Sequence, residues 1–195
     1  MRCSILSFVV AMALAPGAAT AAGEQATGDL TNRAAAATSG APLLRTVEHV
    51  DIERYVGRWY EISRIPNWFQ AGCARSTTAT YTLGADGRIE VVNRCRRADG
   101  SENEARGIAR VVDPTTNARL EVSFVRFLGK SFFWGDYWVI GLGPDYEYAL
   151  VGTPDRKFGW VLARTPTLGP DVLVTINAAL REQGYDPERF EPSAP

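Results

Sequence analysis

Few side chains in this sequence are equipped to do chemistry. The single histidine, His49, stands apart from any nucleophile, and no serine, histidine and aspartate form a catalytic set. Cysteines, histidines and carboxylates do not recur at metal-ligand spacing, so no metal and no cofactor are expected. Glu61 is the one unusual carboxylate, because it falls on the same face of an alternating strand as Trp59. Inside an apolar wall it must pair with a cation or polar group, or be neutral. Arg75 or a water would satisfy it; alternatively, it would orient the polar head of a ligand. One carboxylate is thin equipment for general acid catalysis, so the chain reads as a binding protein rather than an enzyme. Two cysteines remain beyond Cys3, namely Cys73 and Cys95, and they read as a disulfide, as two free thiols or as metal ligands. A turn at Gly84–Gly87 would leave them a few residues out of register. A bridge therefore needs a bulge, or Cys73 in the loop before its strand.

The N-terminus argues for the oxidised form. Arg2, the apolar run Ile5–Leu14 and Ala19-Thr20-Ala21 form the charged, apolar and small-residue parts of a signal peptide over residues 1–21. An uncleaved anchor is the alternative. Residues 22–43 are rich in Ala, Thr, Gly and Ser and bury too little surface to offset ordering, so they read as a flexible linker. The folded domain is then residues 44–195. The 195-residue chain carries a formal net charge of -1, which gives no electrostatic case for nucleic acid.

The elements that must position these residues are strands. A short helical turn at Asp51–Tyr55 precedes Gly57–Arg64, and Pro66 ends that strand. Cys73–Leu83, Arg88–Arg96, Glu104–Val112, Arg119–Phe124, Gly135–Leu142, Tyr146–Val151 and Phe158–Arg164 follow with turn signals between them. Eight short strands with short connections make an antiparallel meander, and eight such strands close into a barrel that holds one small ligand. The fold class is all-β, an eight-stranded antiparallel up-and-down β-barrel; a two-sheet sandwich is the rival. Gly169-Pro170-Asp171 starts one helix, whose stripe Val172, Ile176, Ala179 and Leu180 should lie on the outside of the barrel. Gly184 stops it, and a tail through Phe190 would add an edge strand.

These motifs in this order resemble the lipocalins, most of all the bacterial outer-membrane and apolipoprotein D-like branch. The residues that carry the resemblance are Gly57-Arg58-Trp59 with Tyr60-Glu61-Ile62, Gly143–Tyr148, and Trp160–Arg164 with Thr165-Pro166. It covers about Val50 to Phe190 and implies that Arg164 stacks on Trp59 at the closed end, with Gly57 turning the chain into the first strand. It departs in two places. No cysteine stands directly after the apolar run, so a lipid anchor is not favoured, and Gly143-Pro144-Asp145-Tyr146 replaces a usual Thr-Asp-Tyr.

With Trp59 and Arg164 inward, period two adds Glu61, Ser63, Leu162, Trp160 and Phe158 to the inner face. For the other strands the resemblance selects Ala79, Tyr81, Ile89, Val91, Asn93, Val122, Phe124, Tyr137, Val139, Ala149 and Val151. The candidate ligand contacts are Glu61, Tyr81, Val91, Asn93, Val122, Phe124, Tyr137, Val139, Val151, Phe158 and Trp160; Trp59, Ile89 and Leu162 read as packing near the closed end. Trp68, Phe69 and residues 127–138, with Phe132, Phe133 and Trp134, read as aromatic loops. Such loops suit a lid, a membrane-surface contact or a homodimer interface, or they fold back on the barrel. The expected function is carriage of a fatty acid, lysophospholipid or similar hydrophobe by an exported protein, periplasmic or outer-membrane-associated. The alternatives are a lipid isomerase and an interaction module.

Overall fold

The computed structural model describes residues 42–128 and 130–195. The expected signal peptide and all but the last two residues of the linker lie outside them. Asp51 caps a four-residue helix, α1 (Ile52–Tyr55), its carboxylate accepting from the Arg54 amide at 3.2 Å. The strands are β1 (Gly57–Arg64), β2 (Arg75–Leu83), β3 (Ile89–Arg96), β4 (Glu102–Val111), β5 (Arg119–Ser123), β6 (Val125–Phe127), β7 (Lys130–Phe132), β8 (Gly135–Leu142), β9 (Tyr148–Gly152), β10 (Gly159–Ala163) and β11 (Glu191–Pro192). Helix α2 (Pro170–Glu182) lies between the last two.

Strands β1 to β5 and β8 to β10 pair antiparallel in chain order, and β10 returns to β1, so the sheet closes into an eight-stranded barrel. Closure leaves no free edge over most of the wall. Where β2 diverges from β1 beyond Tyr60, the C-terminal strand β11 pairs with Ser63 and Arg64 and fills the gap.

Two layers of core result. Inside the barrel, Trp59, Ile89, Val91, Leu120, Val139, Val151 and Leu162 pack together. Outside it, Ile176 and Leu180 of α2 lie on Ile140, Leu150 and Val161, the stripe expected from helical spacing. Burying each of those two side chains contributes about 1.5–3 kcal/mol. Gly184, at φ +75, ends the helix in a conformation that favours glycine.

The closed end is built on one contact. The Arg164 guanidinium sits 3.8 Å from the centre of the Trp59 ring. Its nitrogens donate to the carbonyls of Arg54 at 2.6 Å, Tyr55 at 3.1 Å and Arg58 at 3.0 Å, while Trp59 Nε1 donates to Tyr55 O at 2.8 Å. Helix α1 is thereby tied under the barrel. Gly57 holds φ +99 beside this cation, where a side chain would be strained.

Four expectations are corrected. A bulge between Glu61 and Ser63 reverses the alternation of β1, so Ser63 pairs with outward Val161 and Arg64 with inward Trp160. Of residues 127–138, read as a loop, Phe127 ends β6, Lys130–Phe132 form β7, and 135–138 open β8. Tyr146 belongs to a one-turn 3₁₀ helix and leaves β9 to start at Tyr148. The eighth barrel strand ends before Arg164 and begins after Phe158, because Phe158 turns with the preceding loop.

Cys73 and Cys95 form a disulfide with Cα atoms 5.5 Å apart. Cys73 precedes β2, and a register shift lies between Arg75 and Thr78; both devices that a bridge needs are present. Closing this 22-residue separation contributes about 3 kcal/mol in the chain-entropy model.

An Arg164→Leu variant removes the stacked cation and its hydrogen bonds to three carbonyls, of which Tyr55 O keeps Trp59 Nε1 as a donor. Denaturant unfolding should show a loss of about 2–4 kcal/mol.

Candidate ligand-binding site

The barrel interior is graded from floor to mouth. At the floor, Tyr55 packs against Trp59 with ring centres 5.0 Å apart. Above it, the Tyr137 hydroxyl lies 2.8 Å from that of Tyr55 and 2.9 Å from that of Tyr81. These phenols are buried, and removal from water pushes Tyr81 up to about 12 and Tyr55 and Tyr137 well above the ordinary value. They stay protonated and neutral in any physiological medium.

Of the residues expected to meet a ligand, Tyr81, Val91, Val139 and Val151 belong to this packed lower half. Val139 and Val151 are 0 % exposed, so no water-sized space adjoins them. Tyr137 is less deeply shielded and is spent in the phenol cluster. The accessible inner surface lies higher. Asn93, Val122, Phe158 and Trp160 are half-buried, and Phe124 is 42 % exposed. Phe124 leaves β5 just after Ser123, and its ring covers Gly107, where any Cβ would meet it at 2.7 Å.

The mouth is aromatic. Phe158 and Trp160 stack with centres 6.2 Å apart, and Phe69 meets them at 5.4 and 6.4 Å. Trp68, 83 % exposed, stands on the same loop. That loop is held down by Glu61. Its carboxylate accepts from Arg64 Nη1 at 2.5 Å, from Ser193 Oγ at 2.5 Å and from Gln70 Nε2 at 2.8 Å. Gln70 Oε1 in turn accepts from Trp160 Nε1 at 2.9 Å. The cation for Glu61 is therefore Arg64 and not Arg75, because the β1 bulge turns Arg64 inward. A buried carboxylate thus joins a strand, the mouth loop and the C-terminal tail through three hydrogen bonds to its two oxygens.

The aromatic ribbon takes a different place. It folds against the outer wall, where Ser123 Oγ donates to Phe132 O at 2.6 Å and the Arg110 guanidinium covers Trp134 at 4.1 Å. A recess of about 280 Å³ beneath it is lined by Arg88, Ile108, Arg110, Lys130, Ser131 and Trp134. Among the described residues, no group of three or more His, Cys, Asp or Glu is placed to hold a metal, and no helix is long and apolar enough to cross a membrane.

A barrel of this order and closure, with its stacked floor, has a counterpart in known sequences: the family model for the lipocalin-like domain matches residues 50–195. The chain belongs to the lipocalin family. Members of this family bind small hydrophobic ligands. Temperature-induced lipocalin-1 of Arabidopsis thaliana is 38% identical over 146 residues, 73% of this chain and 78% of that one. The outer membrane lipoprotein Blc of Escherichia coli (strain K12) is 39% identical over 145 residues, 74% and 78% of the two chains. Apolipoprotein D of Mus musculus is 35% identical over 151 residues, 73% and 76%. Among solved structures, insecticyanin of the tobacco hornworm Manduca sexta shares the lipocalin fold with a TM-score of 0.61 at 20% identity, covering 79% of this chain and 85% of that one.

Sequence reasoning passed over three residues of this lipocalin's interior. Tyr55 sits in α1, where no strand alternation points it inward. Arg64 is turned in by a bulge that leaves no trace in the pattern. Gln70 was legible only as part of an Asn67-x-x-Gln70 turn, in which Asn67 Oδ1 accepts from the Gln70 amide at 2.9 Å.

Two outcomes follow. Because the folded phenols hold their protons more tightly than unfolded ones, their contribution is complete below pH ~10, where free tyrosine ionises, and declines as pH rises toward about 12 and beyond. Urea midpoints should fall over that interval, and the part of the tyrosinate absorbance that is lost in a Tyr55→Phe, Tyr81→Phe, Tyr137→Phe variant should appear together with unfolding. An Arg64→Leu variant leaves the Glu61 carboxylate buried without its cation and should lose about 3–5 kcal/mol in the same assay.

Proposed function

We infer that this lipocalin binds a small hydrophobic lipid, such as a fatty acid, lysophospholipid or related molecule, through its aromatic mouth and carries it in the cell envelope. The observation that carries this reading is the contrast between the two ends of the barrel. The floor is sealed, whereas Phe69, Phe124, Phe158 and Trp160 leave apolar surface accessible at the entrance. A chain seated among them gains about 0.8 kcal/mol per buried methylene. The ligand contacts we assign are Asn93, Val122, Phe124, Phe158 and Trp160, with Tyr81, Val91, Tyr137, Val139 and Val151 as the layer beneath and Glu61 as the anchor of the mouth loop. The role is non-enzymatic.

Export to the periplasm or the outer membrane is supported by the disulfide, since such bonds persist in oxidising compartments, and by a relative named as an outer membrane lipoprotein. Trp68, standing out from the mouth loop, favours contact of that loop with a membrane surface during loading.

Titration with a fluorescent fatty acid or lysolipid tests the reading. Saturable one-to-one binding with quenching of tryptophan is expected, and Trp160→Ala should weaken it about tenfold, the loss of one well-packed aromatic contact. Folded protein that shows no saturable binding contradicts it.

A further inference from the structure

Asn93 is the anomaly of the barrel wall. Its side-chain oxygen is shielded from solvent and is the one buried side-chain oxygen or nitrogen without a hydrogen-bond partner among the described residues. A buried acceptor left in this state costs stability, which natural structures normally avoid. Its setting is equally pointed. On the inner face, Asn93 is flanked across β2 by Ala79 and across β4 by Ala105, two of the smallest side chains, so the wall recedes around the carboxamide. Ala105 is exposed at the mouth side, and the phenol cluster, through Tyr81, lies two positions toward the floor on the neighbouring strand.

Charge in the same space is informative. The strand arginines between inward positions are engaged elsewhere: Arg94 with Glu104 at 2.7 Å and Arg110 with Glu121 at 2.6 Å. The one strand arginine that a bulge turns inward, Arg64, is taken by Glu61. With Arg94, Arg110 and Arg64 so engaged, an ionised head group drawn down to Asn93 would lose its water in a low-dielectric site, which is unfavourable. A hydroxyl or amide N–H meets no such objection, and it supplies the donor that Asn93 Oδ1 lacks.

We propose that Asn93 is the polar anchor of the binding site, and that the preferred ligand is a neutral hydrophobe bearing a hydroxyl or amide donor, held by a hydrogen bond to the Asn93 carboxamide within the Ala79–Ala105 recess. This rests on the hydrophobe-binding reading above and, among hydrophobes, favours those with a neutral hydroxyl or amide over a free fatty acid. The anchor gives an unpaired amide a purpose in a largely apolar wall. It is a trade of stability for recognition.

The test uses a matched twelve-carbon set, 1-dodecanol, its methyl ether and dodecanoate, each displacing a fluorescent hydrophobic probe from the full chain. Wild type should bind the alcohol about five- to tenfold tighter than the ether, the worth of one desolvated hydrogen bond, and tighter than the carboxylate. In Asn93→Leu the alcohol and ether should bind equally, at the affinity wild type shows for the ether. That variant should also melt at a temperature equal to or above wild type, an outcome a structural asparagine would not give. Equal binding of alcohol and ether by wild type overturns the proposal, as does a preference that survives in Asn93→Leu or a variant that fails to fold. If hydrophobes bind without regard to the hydroxyl, only the anchor falls. If the alcohol fails to displace a bound probe the anchor falls alone, and if the probe itself shows no saturable binding to folded wild type, the hydrophobe-binding function falls with it.

Discussion

The stack of the Arg164 guanidinium on the Trp59 indole is the contact on which the rest of this molecule depends. A flat, weakly hydrated cation can cover an aromatic face and still direct its N–H groups at carbonyls in its own plane. Arg164 uses both properties, joining the end of the last barrel strand to the first strand and to α1 in a single side chain. Burial pulls its pKa below the usual value, but a guanidinium remains charged throughout the accessible pH range. With the floor sealed in this way, the two ends of the barrel become unequal. That inequality gives the protein an entrance.

Between floor and mouth the interior changes character in steps. Packed aromatics give way to three hydrogen-bonded phenols, then to a lone carboxamide among alanines, then to an aromatic rim. The phenols mark the packed lower half, where the Tyr137 hydroxyl bridges those of Tyr55 and Tyr81. Asn93, above them, is the polar group of this wall whose oxygen has no partner among the described residues. The Glu61 hub sits beside the rim and links the mouth loop to strand and tail, so the entrance is a built structure rather than a fringe of loops.

Much of this was legible in the sequence because it follows from alternation and turn chemistry. Gly57, Trp59 and the hairpin at Gly84–Gly87 announce strands, and short connections force antiparallel neighbours that close on themselves. The outer helix was legible from Val172, Ile176, Ala179 and Leu180. The pairing of Cys73 with Cys95 was legible down to the irregularity it required. What escaped was whatever breaks the period of two. The β1 bulge exchanges the sides of Ser63 and Arg64 and thereby changes the partner of Glu61. Tyr55 enters the barrel from a helical turn. The run of aromatics before β8 pairs with itself as a ribbon, although its residues read as loop. The depth of the site was hidden for a different reason: alternation tells which face a residue takes, whereas only packed volume tells that Val139 and Val151 adjoin no free space.

The central claim is that a bound hydrophobe occupies the upper barrel and stops above the phenols. Paramagnetic relaxation enhancement from octadecanol spin-labelled along its chain, read on the amide signals of the isotope-labelled protein, tests it most directly. Broadening should centre on Asn93, Ala105, Phe124 and Trp160 and fall away before Tyr55, Trp59 and Arg164. Broadening strongest at the floor, or confined to the outer wall around Trp134, would contradict the account.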